Sequence, residues 1–243
     1  MKKFTKESNH KEHCKMETVF PHLRNFRDFE GCRCNDGKRI KGNVIARSDN
    51  PRFIEEGEVT ELRRRGLTTV IDLRRNNELE TRPDRLASEP GFTYRHIVMN
   101  DEAYTLLADV DVPCGIAAAF YSKLTVSADR IAEIFRLFST AENGVLFHCE
   151  SGKDRTGTIA ALLLLMNDVC DEDIIEDYRL SYDRMYVNGD PELLSDPTLI
   201  PMKETMELFL ERFHRDYPVP EDYFISIGLT PEEVESIRRR FRE

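Results

Sequence analysis

The segment HCESGKDRTG, residues 148–157, follows the apolar run Val145–Phe147 and precedes a second apolar stretch, residues 159–166. The first run predicts a short buried strand, and the second predicts a buried helix that begins near Arg155. Between them lies a loop that starts with a cysteine, Cys149, and contains a glycine. This succession of strand, loop and helix is typical of an α/β sheet, with the cysteine at the end of a strand and beside a helix N-terminus.

The residue types of this loop indicate a site for a phosphoryl group. Backbone N–H groups at a helix N-terminus lack partners within the helix and form an anion site. A glycine-containing turn can aim several such groups at one point. The planar guanidinium of Arg155 matches two phosphate oxygens at once. The same positive field would stabilise a thiolate on Cys149, so the pattern predicts a nucleophilic cysteine that holds phosphate.

The rest of the chain alternates strands and helices before it becomes helical towards the C-terminus. Strands are predicted for residues 43–47, 69–73, 93–98 and 145–148, and helices for residues 58–65, 113–123, 128–138, 156–166, 172–181, 203–212, 220–227 and 231–242. Gly66 should end the first helix in a left-handed conformation, and Thr230 should cap the last one. The pattern predicts an α/β fold with a central, mostly parallel sheet flanked by helices and a helical C-terminal layer.

Composition and charge exclude several function classes. The net charge of −10 argues against binding to nucleic acid, which requires basic surface. No apolar run approaches the roughly 20 residues of a membrane-spanning helix, so no integral membrane segment is expected. The charged N-terminal sequence lacks the apolar core of a secretory signal, and the six cysteines are expected to be free thiols. A cytoplasmic location is therefore expected.

Several segments together resemble a known family. HCESGKDRTG is similar to the signature loop of cysteine-dependent protein tyrosine phosphatases. The chain as a whole resembles the bacterial, atypical tyrosine and dual-specificity phosphatases of the lipid-phosphatase-like branch. The likeness extends over residues 19–243 and includes NFRDF (25–29), ARSD (46–49), VIDLR (70–74), IIEDYRLS (174–181) and the segment 223–240. It implies a cysteine-phosphatase-type α/β fold, with residues 18–243 as a single catalytic domain and residues 1–17 as a flexible N-terminal tail.

The resemblance implies a role for each loop residue. Cys149 would attack phosphorus to form a phosphocysteine, and Arg155 would bind the equatorial oxygens. Thr156 is placed to donate a hydrogen bond to the sulfur, and His148 is placed to support the loop. Such a mechanism needs no cofactor and no metal. The expected phosphate-binding residues are Glu150, Ser151, Gly152, Lys153, Asp154, Arg155 and Thr156.

A general acid must also protonate the leaving group, and three aspartates are candidates. Asp101 follows a predicted strand where the family's acid loop would begin, and it is the first choice. Asp154, inside the signature loop, is the main rival. Asp72 is third, because a structural partnership with a neighbouring arginine explains it better. The NFRDF residues Asn25, Arg27 and Asp28 are interpreted as scaffold around the site.

The leading hypothesis is a protein tyrosine phosphatase, with phosphoserine and phosphothreonine as further candidate substrates. A phosphoinositide phosphatase is the alternative, so the partner would be a phosphorylated protein or a phospholipid headgroup. The carboxylate of Glu150 and the net charge argue against a headgroup with several phosphates. A phosphate-binding pseudoenzyme is disfavoured because both Cys149 and Arg155 are present. A sulfur-transfer or arsenate-reducing protein would not explain the NFRDF segment.

Overall fold

The computed structural model describes residues 20–99, 112–186 and 202–243. In this part of the chain five strands form one sheet in the order β1-β2-β5-β3-β4. β1 is antiparallel to β2, and the other neighbours are parallel, so the mostly parallel sheet predicted from the sequence is confirmed. The strands are β1 (Arg27–Asp28), β2 (Ile45–Ser48), β3 (Leu67–Asp72), β4 (Thr93–His96) and β5 (Gly144–His148).

The helices fall where the sequence predicted them, apart from one additional helix. They are α1 (Glu56–Arg64), α2 (Asn76–Thr81), α3 (Val112–Val126), α4 (Ala128–Thr140), α5 (Asp154–Met166), α6 (Asp171–Tyr186), α7 (Lys203–Asp216), α8 (Pro220–Ser226) and α9 (Pro231–Phe241). No pattern in the sequence predicts α2, which has only six residues and no apolar stripe. The predicted end signals are present: Gly66 has φ +73°, and Thr230 Oγ1 accepts a hydrogen bond from the Glu233 N–H at 3.2 Å.

The sheet is covered on both faces, which explains the apolar sequence of its central strand. On β5, Val145 and Phe147 belong to a large apolar core that includes most of α5, whereas Leu146 faces a smaller core formed with α1. α5 is buried from Arg155 to Met166, as expected for a helix that is apolar all round. The buried strand and helix therefore fix both ends of the loop between them.

The parallel strands end together at one edge of the sheet. Ser48 of β2 and Asp72 of β3 both pair with His148 of β5, and Asp72 also pairs with His96 of β4. The segments that follow these strands therefore meet at one edge, which is where open α/β sheets bind ligands. Within the described ranges no helix is long and apolar enough to span a membrane. The tail predicted for residues 1–17 lies outside these ranges.

Candidate active site

The loop between β5 and α5, residues 149–153, packs directly on the end of β2. Gly152 has φ +67°, in the left-handed region. A Cβ atom on Gly152 would lie 2.3 Å from the Ser48 carbonyl oxygen and 2.8 Å from the Asp49 nitrogen. No other residue type fits this close approach, so the glycine is required by the geometry of the loop.

Four successive carbonyl groups of the loop accept hydrogen bonds from the surrounding scaffold. The Cys149 and Glu150 carbonyls lie 3.0 Å from His148 Nδ1 and from the Asn50 backbone nitrogen, respectively. The Asn25 side-chain amide donates to the Ser151 and Gly152 carbonyls, at 3.0 Å each. The Gly152 carbonyl also accepts a hydrogen bond of 2.6 Å from Arg47 Nη2.

These bonds determine where the loop N–H groups point. The described part of the chain has no cis peptide bond, and in a trans peptide the C=O and N–H groups point in opposite directions. With the carbonyls of residues 149–152 turned to the scaffold, the N–H groups of residues 150–153 point away from it. They are joined by the first N–H groups of α5, which lack partners within the helix. The arrangement is a cradle of backbone amides at a helix N-terminus, a geometry suited to an anion.

Cys149 and Arg155 lie at the two ends of this loop. Cys149 directly follows β5 and is only 2% exposed. Arg155 lies in the first turn of α5 and forms a two-pronged ion pair with Glu78 of α2, with Nη1–Oε2 at 2.6 Å and Nη2–Oε1 at 2.8 Å. Burial favours the neutral form of Glu78, but its hydrogen bonds from Arg155 and from the Arg75 backbone N–H lower its pKa to about 2. Glu78 therefore stays ionised and holds the guanidinium in one orientation.

His148 is a buried cation that holds the first carbonyl of the loop. Its Nδ1 lies 3.0 Å from the Cys149 carbonyl oxygen, and its Nε2 lies 2.9 Å from Asp84 Oδ2. Both partners are acceptors, so both ring nitrogens must carry protons. Burial by itself lowers the pKa of His148, but the charges of Asp72 and Asp84 raise it to about 9. A positive charge therefore lies beside Cys149 at neutral pH.

Asp72 is an ion-pair partner of the neighbouring Arg74. Arg74 donates to it through Nε at 3.0 Å and through Nη2 at 2.7 Å, and the Tyr94 hydroxyl donates at 2.7 Å. Burial would raise the pKa of Asp72, but His148 and Arg74 lower it to about 2. An ionised carboxylate cannot donate a proton, so this geometry disfavours Asp72 as a general acid. Asp72, Asp84 and His148 lie close enough together to be considered as ligands of a metal ion. However, Asp72 Oδ2 already accepts from Arg74 and Tyr94, and Asp84 Oδ2 already contacts His148 Nε2. This cluster is therefore ill suited to a metal ion.

Comparison with known proteins identifies the family. The sequence model of a family described as "Tyrosine phosphatase family" matches residues 18–243. The chain belongs to the tyrosine phosphatase family. The resemblance drawn from HCESGKDRTG is thereby confirmed, and the described sheet and helices have the predicted α/β architecture.

Individual members of the tyrosine phosphatase family match most of the chain. The tyrosine-protein phosphatase of Nostoc commune is 29% identical over 196 residues, which cover 72% of this chain and 66% of that protein. The H16_A0669 protein of Cupriavidus necator, which also carries a tyrosine-protein phosphatase name, is 28% identical over 174 residues, covering 69% and 64%. The chain thus spans slightly less than two thirds of these relatives. The crystal structure of TpbA from P. aeruginosa is 14% identical, with a TM-score of 0.44 over 79% of this chain and 91% of TpbA.

The structure places the other predicted residues of this phosphatase-family loop as follows. The Asp154 carboxylate lies at the start of α5, 3.4 Å from both Lys153 Nζ and the Tyr178 hydroxyl. The Thr156 hydroxyl is buried and has no hydrogen-bond partner among the described residues, so the predicted bond to the sulfur is not formed. Sequence places Thr156 in the first turn of α5 but does not fix the direction of its hydroxyl. Asp101 lies outside the described residues.

Glu150 is not the isolated negative charge that the sequence suggested. Its Oε1 lies 2.8 Å from Arg82 Nη1, and its Oε2 lies 3.4 Å from Arg74 Nη1 and 3.3 Å from Asn50 Nδ2. Two guanidinium groups therefore compensate this carboxylate. The repulsion of a second phosphate expected from Glu150 is therefore weaker than its charge alone implies, because the sequence does not show that Arg74 and Arg82 approach the loop.

The scaffold interpretation of the three polar residues in the NFRDF segment holds for two of them. Asn25 holds two loop carbonyls, and Arg27 donates to the Asn25 carbonyl at 3.1 Å. Asp28 instead accepts from the backbone N–H of Glu30 at 3.2 Å and of Asn43 at 2.9 Å, where it supports a turn. Sequence reasoning missed Glu78 and Arg47, since their partners Arg155 and Gly152 are 77 and 105 residues away along the chain.

Proposed function

We propose that this chain is a cysteine-dependent protein tyrosine phosphatase that hydrolyses phosphotyrosine through a phosphocysteine intermediate. The observation that carries the proposal is the loop of residues 149–153, whose carbonyls are all turned to the scaffold from Cys149 to Gly152. A cradle of amides with a cysteine at one end and an arginine at the other suits a trigonal, negatively charged phosphoryl group. Membership of the tyrosine phosphatase family supports phosphotyrosine as the substrate.

In the first step the Cys149 thiolate attacks phosphorus. A sulfur–phosphorus bond forms while the bond from phosphorus to the tyrosine oxygen breaks, and the electron pair leaves with the phenolate. The imidazolium of His148, held on the Cys149 carbonyl, supplies a positive charge beside the attacking residue. The loop amides and Arg155 hold the three equatorial oxygens as their charge changes, so the charge is balanced by the chain's own groups.

The phenolate takes a proton from a carboxylic acid as it leaves. We assign this role to Asp101. Asp154 is the alternative, because it begins α5 beside the cradle. In the second step water attacks the phosphocysteine, inorganic phosphate leaves, and the thiolate is restored. The same carboxylate, now ionised, accepts the proton of that water.

Glu78 positions Arg155 for both steps. A guanidinium has five N–H groups, and the end-on pair with Glu78 uses one on each terminal nitrogen. The plane of the guanidinium is thereby fixed before substrate arrives, which lowers the reorganisation needed in the transition state.

The proposal includes a reducing, cytoplasmic setting, supported by the four free thiols in the described part of the chain, Cys32, Cys34, Cys149 and Cys170.

Hydrolysis of a phosphotyrosine peptide in the presence of EDTA tests the proposal, with Cys149→Ser as the control variant. We expect turnover by the wild-type chain and none by Cys149→Ser, while inorganic phosphate still competes for binding to both. Phosphoserine peptides and phosphoinositide vesicles in the same assay rank the substrates. Turnover that survives in Cys149→Ser, or that EDTA abolishes, contradicts the mechanism.

A further inference from the structure

Arg47 of β2 is a fully buried cation that contacts the loop. Its side chain is 0% exposed, and a buried guanidinium is costly unless it is paired and hydrogen-bonded. Nη1 pairs with the Asp177 carboxylate of α6, and Nη2 donates to the Gly152 carbonyl at 2.6 Å and to the Lys153 carbonyl at 3.4 Å. One side chain thus links an acid on α6 to two peptide groups of the phosphate site.

Asp177 controls a second contact with the same loop. Its Oδ1 accepts from Arg27 Nε at 2.6 Å, and Arg27 Nη2 also donates to the Asp177 carbonyl at 2.7 Å. The same guanidinium donates through Nη1 to the Asn25 carbonyl and to the Asn25 side-chain oxygen. Arg27 therefore orients the Asn25 amide, whose nitrogen holds the Ser151 and Gly152 carbonyls. Arg47 and Asn25 hold these carbonyls away from the cradle, and both are oriented by the Asp177 carboxylate, Arg47 directly and Asn25 through Arg27.

This arrangement matters because Gly152 does not restrict its own conformation. Glycine adopts positive and negative φ almost equally well, so the peptide groups beside it can rotate unless they are held. Rotation of the 152–153 peptide would turn its carbonyl into the cradle and its N–H group out. The negative end of a peptide dipole would then face the phosphoryl oxygens. The hydrogen bonds from Arg47 and Asn25 oppose this rotation.

We propose that Asp177 is a positioning residue of the phosphate site: through Arg47 and through Arg27 and Asn25 it keeps the loop amides turned towards the phosphoryl group. The inference rests on the proposed function only in assuming that the loop binds phosphate. Burial would raise the pKa of Asp177, but the charges and hydrogen bonds of Arg27 and Arg47 lower it, so it stays ionised at neutral pH.

Asp177→Asn tests the inference because it keeps the shape of the side chain. The new amide oxygen can accept from one arginine, but its nitrogen faces the other arginine as a second donor. One guanidinium therefore loses its bond to the side chain of residue 177, and both lose the negative charge that holds them in place. Asp173→Asn is the matched control. It lies one turn earlier on the same helix and pairs with Arg33 at 2.7 Å, away from the loop.

Two quantities distinguish a positioning role from a structural one: the inhibition constant of inorganic phosphate and KM against kcat for a small aryl phosphate. We expect Asp177→Asn to raise both the phosphate inhibition constant and KM about tenfold or more, the usual effect of losing a charged hydrogen bond. Asp173→Asn should leave both within a factor of about two, while circular dichroism shows both variants folded. Equal phosphate inhibition constants for the two variants would overturn the inference.

A second variant covers the case in which Asp177→Asn does not fold. Arg47→Lys keeps a positive charge beside Asp177. The single ammonium group of lysine cannot pair with Asp177 and also donate to the Gly152 carbonyl, as the two ends of the guanidinium do. This variant should weaken phosphate binding, and unchanged binding would equally overturn the inference.

Phosphate binding measured by calorimetry separates the two proposals. A wild-type chain that binds phosphate without turnover refutes the proposed function, whereas turnover and binding unaffected in both variants refute the role of Asp177.

Discussion

Replacing Gly152 by alanine is the most direct test of the loop geometry. The φ angle of +67° costs an L-residue about 1–2 kcal/mol, since the side chain crowds the following carbonyl. The added Cβ would also lie 2.3 Å from the Ser48 carbonyl oxygen and 2.6 Å from the Ser48 carbonyl carbon, where ordinary contact begins near 3.4 Å. These are backbone atoms at the end of β2 and cannot rotate aside. The loop must therefore move by about 1 Å, a clash of the kind that costs about 1–3 kcal/mol.

Together these terms predict that Gly152→Ala lowers the free energy of unfolding by about 2–5 kcal/mol. Gly66→Ala is the matched control, because Gly66 has φ +73° but no heavy atom within 4 Å of an added Cβ. It should lose only about 1–2 kcal/mol. Urea unfolding of both variants measures the difference. A displacement of about 1 Å in a site should also lower kcat/KM for an aryl phosphate about 100-fold in Gly152→Ala, whereas Gly66→Ala should stay near the wild type.

The two measurements together can refute the reasoning. If Gly152→Ala unfolds at the same urea concentration as Gly66→Ala and keeps its turnover, the loop is not packed on β2 as described. The argument that the scaffold turns the loop amides inward would then fail as well, since it uses the same contacts.

Two further predictions concern His148 and the identity of the general acid. Because the pKa of His148 rises from 6.5 to about 9 on folding, its contribution of about 3 kcal/mol is fully present below pH 6.5 and is lost as pH rises through 9. Urea unfolding between pH 6 and 9.5 should show this fall in the wild type and a smaller one in His148→Gln; equal slopes would contradict it. If Asp101 is the general acid, Asp101→Asn should slow phenyl phosphate far more than the activated p-nitrophenyl phosphate, and Asp154→Asn should slow both alike. The reverse pattern reassigns the acid to Asp154.

Local features of the structure could be predicted from the sequence because their causes are local. β5, the loop and α5 follow from an apolar run, a glycine and a second apolar stretch within 23 residues (144–166). The end of α1 follows from Gly66, whose left-handed conformation stops a helix, and the start of α9 follows from a threonine cap. Each of these features depends on neighbours within a few positions.

The partners of the site residues could not be predicted, because they meet only in the folded chain. The pair between Arg155 and Glu78 joins residues 77 positions apart, and Glu78 lies on a six-residue helix without an apolar stripe. Arg47 and Asp177 are 130 positions apart. Single-sequence patterns identify an arginine but not the carboxylate that orients it. For the same reason the sequence could not show that Arg74 and Arg82 compensate Glu150.

The concentration of buried ion pairs at one edge of the sheet has a functional rather than a stabilising explanation. Compared with apolar residues of similar size, buried pairs add little to stability, because the cost of removing both charges from water offsets their attraction. Yet pairs between Arg47 and Asp177, between Arg155 and Glu78, and between His148 and Asp84 all lie at this loop. Each one fixes a donor or a positive charge near Cys149. With a net charge of −10, the chain cannot attract a phosphate dianion through its overall field. In the proposed mechanism, dipoles and cations held in place at the loop supply the attraction, and they do so without reorganising when the charge on phosphorus changes.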